Sequence, residues 1–584
     1  MLEACRGGLQ FAAEFGIIYN VDFVKGKGQD LMKFEMNRRM FLRGSLAAGM
    51  APFLDGCASF GLGRKSAAAT PNYYCTWSTQ ARTIKAMKAK GESMFPGDQG
   101  LPGCRDNLDE KTVFGPSGWA RVLYPEARQN LNFLLDDGWD VDYGLNPYEH
   151  TAKFGSLILN EKRFPSIKGT PAERLRELTR RVKDLGWAGC GLWVACQAPG
   201  ESWSHHEPAA VREEDLRRKL GWCGEAGIAY LKVDWGAHDG DVEYRELMSA
   251  LAKKYCPETL IEHALTWGIP LNGCYEGVKD GKKVLEIGDA GRLVNDEKYA
   301  ARIGAKAPAL MRCGDAFRIY DMLAPIFYPT AIERVLMLLT AAERTGGHAQ
   351  INVEDVPYLG ASLGCALGVM RATVWDGNEK DPIARHETCG EVTRAVAWQE
   401  IAPPMGANTA MATRYSNATL MDEWTFAAGE TWINLVANKT IPQTTAAVVT
   451  RGMNAFPEVR DVGEGVPFVT TMRHANGAIA VGAMPRVVDR KGFKFPKCDI
   501  TIFEDARNVP IGIFGTFRSV AFECATKDAQ VWARDLAGKE MHDITKACTF
   551  TGGRVILPGE VLAQIGSEAI RDKSMPGTLV EIRA

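Results

Sequence analysis

The residues with the most chemical potential in this chain are carboxylates that follow short apolar runs. Asp136-Asp137-Gly138-Trp139 follows Leu131 to Leu135, and Lys232-Val233-Asp234-Trp235 closes Ala229 to Val233. Glu262-His263 lies within Leu260 to Ala264, and the run from Ala309 to Cys313 ends in Arg312-Cys313-Gly314-Asp315. An isolated carboxylate in a low-dielectric core is costly, whereas several grouped beside a lysine and an arginine are tolerated in a polar cleft. Carboxylate pairs flanked by aromatic rings suit sugar chemistry. One acid protonates the leaving glycosidic oxygen, and a second carboxylate attacks the anomeric carbon or activates water. Trp and Tyr rings stack on the apolar faces of pyranoses, and neighbouring aspartates such as Asp136 and Asp137 accept hydrogen bonds from adjacent hydroxyls.

The elements that must position these residues follow a repeating pattern. Strand-like runs begin at Tyr73, Leu131, Gly189, Ala229, Leu260 and Ala309, with another near Leu367 to Trp375. Charged segments of helical period lie between them. In Pro171 to Leu185, the residues Leu175, Leu178, Val182 and Leu185 recur at three- and four-residue steps on one face. Another helix starts at Val242, with Asp239 or Asp241 placed to cap it better than Asp234. Such repeats over this length predict a parallel sheet closed into a (β/α)8 barrel, whose function sits at the C-terminal ends of the strands. No GxGxxG opens a helix after an early strand, so nucleotide binding has no support. After about Asn408 the helical period gives way to short alternating runs, including 431–435, 446–449 and 478–481, with the turn pair Asn476-Gly477 before the last. The expected layout is a barrel over 72–410 and a sandwich-like, antiparallel β domain over 411–584.

The ordered strings LLDDGWD, RFPS, LKVDWG and RCGD resemble the landmarks of clan D glycoside hydrolases, the α-galactosidase families 27 and 36. The resemblance runs from about Tyr73 to Trp375. It implies a (β/α)8 barrel with a C-terminal β domain and a retaining exo-α-glycosidase, an α-galactosidase first of all. A related α-N-acetylgalactosaminidase, a raffinose-synthase-like transglycosidase, or a barrel that binds carbohydrate without turnover are the alternatives. On the resemblance, Asp234 matches the nucleophile and Asp315 the acid/base, with Asp321 in FRIYDM as the second choice. Asp136 and Asp137 match the pair that holds sugar hydroxyls, and Lys232 the lysine preceding the nucleophile. Glu262 matches a sugar-contacting acid, Arg312 the arginine near the acid/base, and Trp77 an aromatic after strand one. Trp139 completes the expected sugar-binding set. YYCTWSTQ departs from the family's GWNSW, and residues 346–355 replace its N-D-P-D string. No metal or organic cofactor is expected. His205-His206-Glu207 offers metal-ligand types, but no third ligand follows at helical spacing, so a loop lining the cleft is the expectation.

Composition bounds the rest. The chain has 584 residues, 46% hydrophobic and 24% charged, which excludes wholesale disorder and a multi-pass membrane protein. Lys+Arg is 69 against Asp+Glu 71, so nucleic acid is not an expected partner. Asn37-Arg38-Arg39-Met40-Phe41-Leu42 before the apolar run Ser45 to Leu54 reads as a twin-arginine export signal, and Leu54-Asp55-Gly56-Cys57 resembles a lipobox. Residues 1–57 are accordingly expected to be an over-long start plus signal, and 58–71 a linker. The mature chain would be exported, periplasmic or held at the envelope by a lipid on Cys57. The 15 cysteines contain no CxxC pair and sit mostly in apolar runs, as small core residues do.

Overall fold

The computed structural model describes residues 70–82, 104–145, 151–265, 274–279, 282–287, 306–319, 328–372, 387–409, 411–425, 440–524 and 528–583. The expected export signal, the lipobox at Cys57, the strand at 431–435 and Asp321 lie outside the described residues.

Eight parallel strands close into a barrel: β1 (Tyr73–Cys75), β2 (Asn132–Leu135), β3 (Gly189–Val194), β4 (Tyr230–Val233), β5 (Leu260–Leu265), β6 (Ala316–Ile319), β7 (Gln350–Glu354) and β8 (Ala366–Val369). Each pairs with its sequence neighbour, and β1 closes on β8 through Tyr73 opposite Gly368. The period-two alternation of strands splits their side chains cleanly. Tyr74, Phe133, Leu192, Leu231, Phe317, Ile351 and Leu367 face the helices in the large core. Tyr73, Cys75, Leu134, Trp193, Tyr230 and Ala316 fill the barrel interior.

The helices form where the sequence signals them. Pro171–Asp184 opens with a capping box. Glu173 N–H donates to the Thr170 hydroxyl, and the Glu173 carboxylate accepts from Thr170 N–H at 2.8 Å. Leu175, Leu178 and Val182 are buried, as the stripe requires. Asp241 caps Val242–Tyr255 by accepting from Tyr244 N–H at 3.2 Å.

The sixth strand is not where the apolar run suggested. Residues 306–313 are helical, and the strand begins only at Ala316. Ala, Leu, Met and Arg are strong helix formers, and Gly314 follows as a stop signal. A short apolar run of this length cannot be told from a strand by hydrophobicity alone. Residues 307–311 are buried, while Lys306 and Arg312 at either side are exposed.

The C-terminal part is built of two main sheets. One has eight strands and runs from Thr413–Tyr415 at one edge to His542–Asp543 at the other. The other has five strands, with Cys498–Asp505 and Ser519–Glu523 near its middle. Val469, Ile479, Val481, Ile500, Val520 and Val580 pack in a second core between them. The predicted turn is present. Gly477 adopts φ +87° between Phe468–Arg473 and Ile479–Met484, which pair antiparallel. Most neighbouring strands pair in that sense, although Val448–Arg451 with Phe468–Arg473, Ile479–Met484 with Pro510–Phe514, and Cys498–Asp505 with Ser519–Glu523 run parallel. The β domain is fastened to the barrel by a buried ion pair, in which Arg394 donates twice to Asp535 at 2.9 and 2.8 Å.

Candidate active site

The upper interior of the barrel is a buried cup of charge. Lys232 on β4, Glu262 on β5, Arg318 on β6 and Glu354 on β7 point inward, with Asp136 and Asp234 just beyond β2 and β4. All six are buried. Lys232 Nζ donates to Asp136 Oδ2 at 2.8 Å and stands 4.0 Å from Glu354. Arg318 donates through Nε to Glu262 and through Nη1 to Glu354, both at 3.2 Å, and its Nη2 is 3.6 Å from Asp234 Oδ2. The Tyr230 hydroxyl donates to Glu262 at 2.8 Å, and the Tyr73 hydroxyl bridges Glu262 and Glu354 at 3.3 and 3.2 Å. Four carboxylates thus face two cations. Burial raises the Glu262 and Glu354 carboxyls against the pull of Arg318. Burial would raise Asp136 too, but Lys232 and the Cys75 thiol outweigh it and hold that carboxyl low.

Asp234 is set apart from the other acids. Trp193 Nε1 donates to Oδ2 at 2.8 Å, while Oδ1 is buried without a hydrogen-bond partner among the described residues. A buried carboxylate oxygen without a protein hydrogen bond costs free energy. The backbone is held firmly beneath it. Arg245 Nη2 donates to the Asp234 carbonyl at 2.9 Å, and Cys196 N–H donates to Trp235 O at 2.8 Å. That close approach needs Gly236, at φ +150°, where a Cβ would fall 2.7 Å from Cys196 N.

The other sequence candidates divide sharply. Trp77 lies just past β1 and packs with the interior cluster. Asp137 is at the mouth but is engaged by Arg105, whose Nε donates to it at 2.8 Å with a second bond from Nη2. Gly138, at φ +120°, permits this, since a Cβ would lie 2.9 Å from Arg105 Cα. Lys232 is in the cup, yet its partner is Asp136, and the cation nearest Asp234 is Arg318. Glu262 is fully buried and is held by two tyrosines and Arg318. Trp139 is in the helix-facing core, 0% exposed, with Nε1 donating to Trp193 O, so it offers no stacking face.

Asp315 and Arg312 are corrected outright. Asp315 immediately precedes β6, and its carboxylate accepts from Ile261 N–H at 2.9 Å near the start of β5. It therefore sits at the N-terminal end of the barrel, opposite Asp234. Arg312 is exposed on the helix before it, at the same end. Mistaking that helix for the strand moved both residues to the wrong face. The further residues that line the cup were legible only by parity. Arg318 and Glu354 lie on inward positions of their strands, as do Trp193 and Tyr230.

Asp140, just beyond the Asp136-Asp137 pair, is a buried carboxyl pushed up to about 7 by burial and by the charge of Asp137. Its Oδ1 has no partner. The folded value exceeds the unfolded one, so stability falls as pH rises from about 4 to about 7, and the full cost is present above that. Asp140→Asn is expected to gain about 2 kcal/mol over the parent at pH 8 and almost nothing at pH 4. That is roughly half the linkage maximum, because the new amide also lacks a partner. Urea unfolding at the two pH values checks it, and an equal gain at both would show that Asp140 is not the titrating group.

No known protein family matches the chain by sequence, and no curated protein matches it. Among solved structures, it is similar to a family GH27 β-L-arabinopyranosidase from Geobacillus stearothermophilus, solved with arabinose, at 9% identity and TM-score 0.36, over 89% of this chain and 98% of that one. A candidate α-galactosidase from Bacteroides fragilis aligns at 10% identity and TM-score 0.35, over 88% and 79% of the two chains. An Anoxybacillus α-amylase aligns at 8% identity and TM-score 0.34, over 88% and 98%. Identities this low assign no activity.

Proposed function

We propose that the chain is a retaining glycoside hydrolase that removes a terminal α-linked sugar, with an α-galactoside as the first substrate to test. The observation that carries this reading is the Asp234 carboxylate, buried at the end of β4 with Oδ2 held by Trp193 and Oδ1 unpartnered. In this reading Oδ1 attacks the anomeric carbon, and the bond to the aglycone breaks with its electron pair leaving on the oxygen. That oxygen takes a proton from an acid. The same residue then removes a proton from the water that releases the sugar from Asp234. The excess of carboxylates over cations in the cup supports the reading, because the transition state carries positive charge at the sugar ring. The order of the LLDDGWD and LKVDWG strings supports it as well.

Asp315 is at the wrong end to supply the proton. Asp321 takes that role here, because it follows the last residue of β6 by two positions in the sequence and so comes after the strand's C-terminal end. A second reading, a barrel that binds sugar without turnover, is favoured by one observation. Among the described residues of the cup, Asp136, Asp137, Glu262 and Glu354 are all ion-paired. A panel of aryl α-glycosides separates the two. Aglycone release with the α-anomer as first product, followed by NMR, is the expected outcome. Release with inversion removes Asp234 as nucleophile, and saturable binding without release establishes the second reading. Transfer to an added sugar in preference to water would identify a transglycosidase.

A further inference from the structure

We propose that Glu201, His206 and His238 form a site for one divalent transition-metal ion of the zinc type, bridging the loops that follow β3 and β4. Only His206 of the His205-His206-Glu207 string takes part; Glu201 lies five residues before it, and His238 arrives from the other loop, thirty-two residues beyond it.

The geometry has the dimensions of a coordination site. His238 Nε2 is 3.0 Å from Glu201 Oε1 and 3.4 Å from His206 Nδ1, and the three atoms lie within 4.8 Å of one another. A tetrahedral zinc site with bonds of about 2.0–2.1 Å has ligand–ligand edges of about 3.3 Å. The supporting contacts are also those of a metal site. The far nitrogen of His238, Nδ1, is 2.9 Å from Asp241 Oδ2, which fixes the tautomer with Nε2 free to ligate. Its ring stacks on Tyr244 with centroids 4.4 Å apart. Glu201 is fixed by two backbone donors, Ala198 N–H to Oε2 at 2.7 Å and Glu207 N–H to Oε1 at 3.0 Å.

The cluster also crowds a cation against the ring. Both nitrogens of His238 face carboxylates, Nδ1 that of Asp241 and Nε2 that of Glu201, while Arg212 Nη1 stands 3.5 Å from Nδ1 and 3.2 Å from Nε2. A cation at the shared point satisfies the carboxylate and both imidazole lone pairs. Arg212, whose side chain is 23% exposed, occupies the edge of that space and turns outward when the ion enters. Three protein ligands leave a fourth position for water. The site stands at the same end of the barrel as Asp234, and Trp203 on the His206 loop lies 5.9 Å from Trp235, centroid to centroid. The ion would therefore fasten an aromatic wall beside Asp234 without taking part in bond cleavage.

The test is direct and does not depend on any glycosidase activity. The full chain is stripped with a chelator and titrated with Zn(II), and with Co(II) as an optical probe. One ion per chain is expected, with Co(II) bands of a low-coordinate nitrogen–oxygen site. His206→Ala, at an exposed residue and so harmless to folding, should weaken binding at least about 100-fold, and Asp241→Asn about 10- to 100-fold. Arg212→Ala should tighten it. Uptake below one ion per chain, a hexaaqua-like Co(II) spectrum, or His206→Ala binding like the parent would overturn the site.

Discussion

Asp234→Asn is expected to lower turnover of whichever aryl α-glycoside the parent cleaves by on the order of 10⁴-fold while leaving the fold intact. The two halves of that expectation have separate causes. The amide keeps an oxygen to accept the Trp193 indole N–H, so the local hydrogen bond at 2.8 Å survives. It removes the negative charge and the nucleophilic lone pair from Oδ1, which has no other partner to lose. Asp234→Gly opens the same space. If the residue is the nucleophile, azide should enter from its side, restore release of an activated aglycone, and yield the β-glycosyl azide. An α-azide or no rescue, alongside a folded variant, would show that the attacking group is elsewhere. Asp315→Asn is the contrasting measurement. That carboxylate accepts from Ile261 N–H near the start of β5, at the end of the barrel away from Asp234, so the variant should turn over at nearly the parent rate.

The barrel was legible because its signal is redundant. Strand-like runs recur with helical segments between them, and an error in one does not change the architecture the others require. The site had no such redundancy. Asp315 depended on a single assignment, that of 309–313 as a strand, and the helix that forms there put it at the opposite end. Trp139 failed for a different reason. Its position after a strand says that it is near the mouth, but not which side of the wall its ring takes, and the indole turned outward to reach Trp193 O. Lys232 was correctly an inward residue by its two-residue offset from Asp234, since residues two apart share a strand face. Its partner could not be read, because Asp136 comes from another strand ninety-six residues away. Arg318 and Glu354 were missed for the same reason. Inward parity is visible along one strand, whereas the meeting of four strands inside a ring depends on register, which no local pattern states.

Arg318→Met is expected to cost about 3–5 kcal/mol of stability, the largest loss for any single residue of the cup. The guanidinium is 0% exposed and is the shared partner of Glu262 and Glu354, with Asp234 3.6 Å from its Nη2. Methionine fills much of the volume but leaves Lys232 as the one cation facing four carboxylates in the described cup. The tyrosine hydroxyls still donate to Glu262 and Glu354, yet they supply no charge. The pH dependence follows from the direction of the shifts. Both glutamates are already raised by burial in spite of Arg318, so its removal raises them further. A carboxyl whose folded value lies above its unfolded one loses stability as pH rises between the two. The deficit of Arg318→Met should therefore be smallest near pH 4 and grow toward pH 8, as measured by urea unfolding. Adding Glu262→Gln to the variant removes one of the stranded charges and should recover part of the loss at pH 8. A deficit that is flat with pH, or a double variant weaker than the single one, would mean that Arg318 holds the barrel by packing and not by neutralising the acids around it.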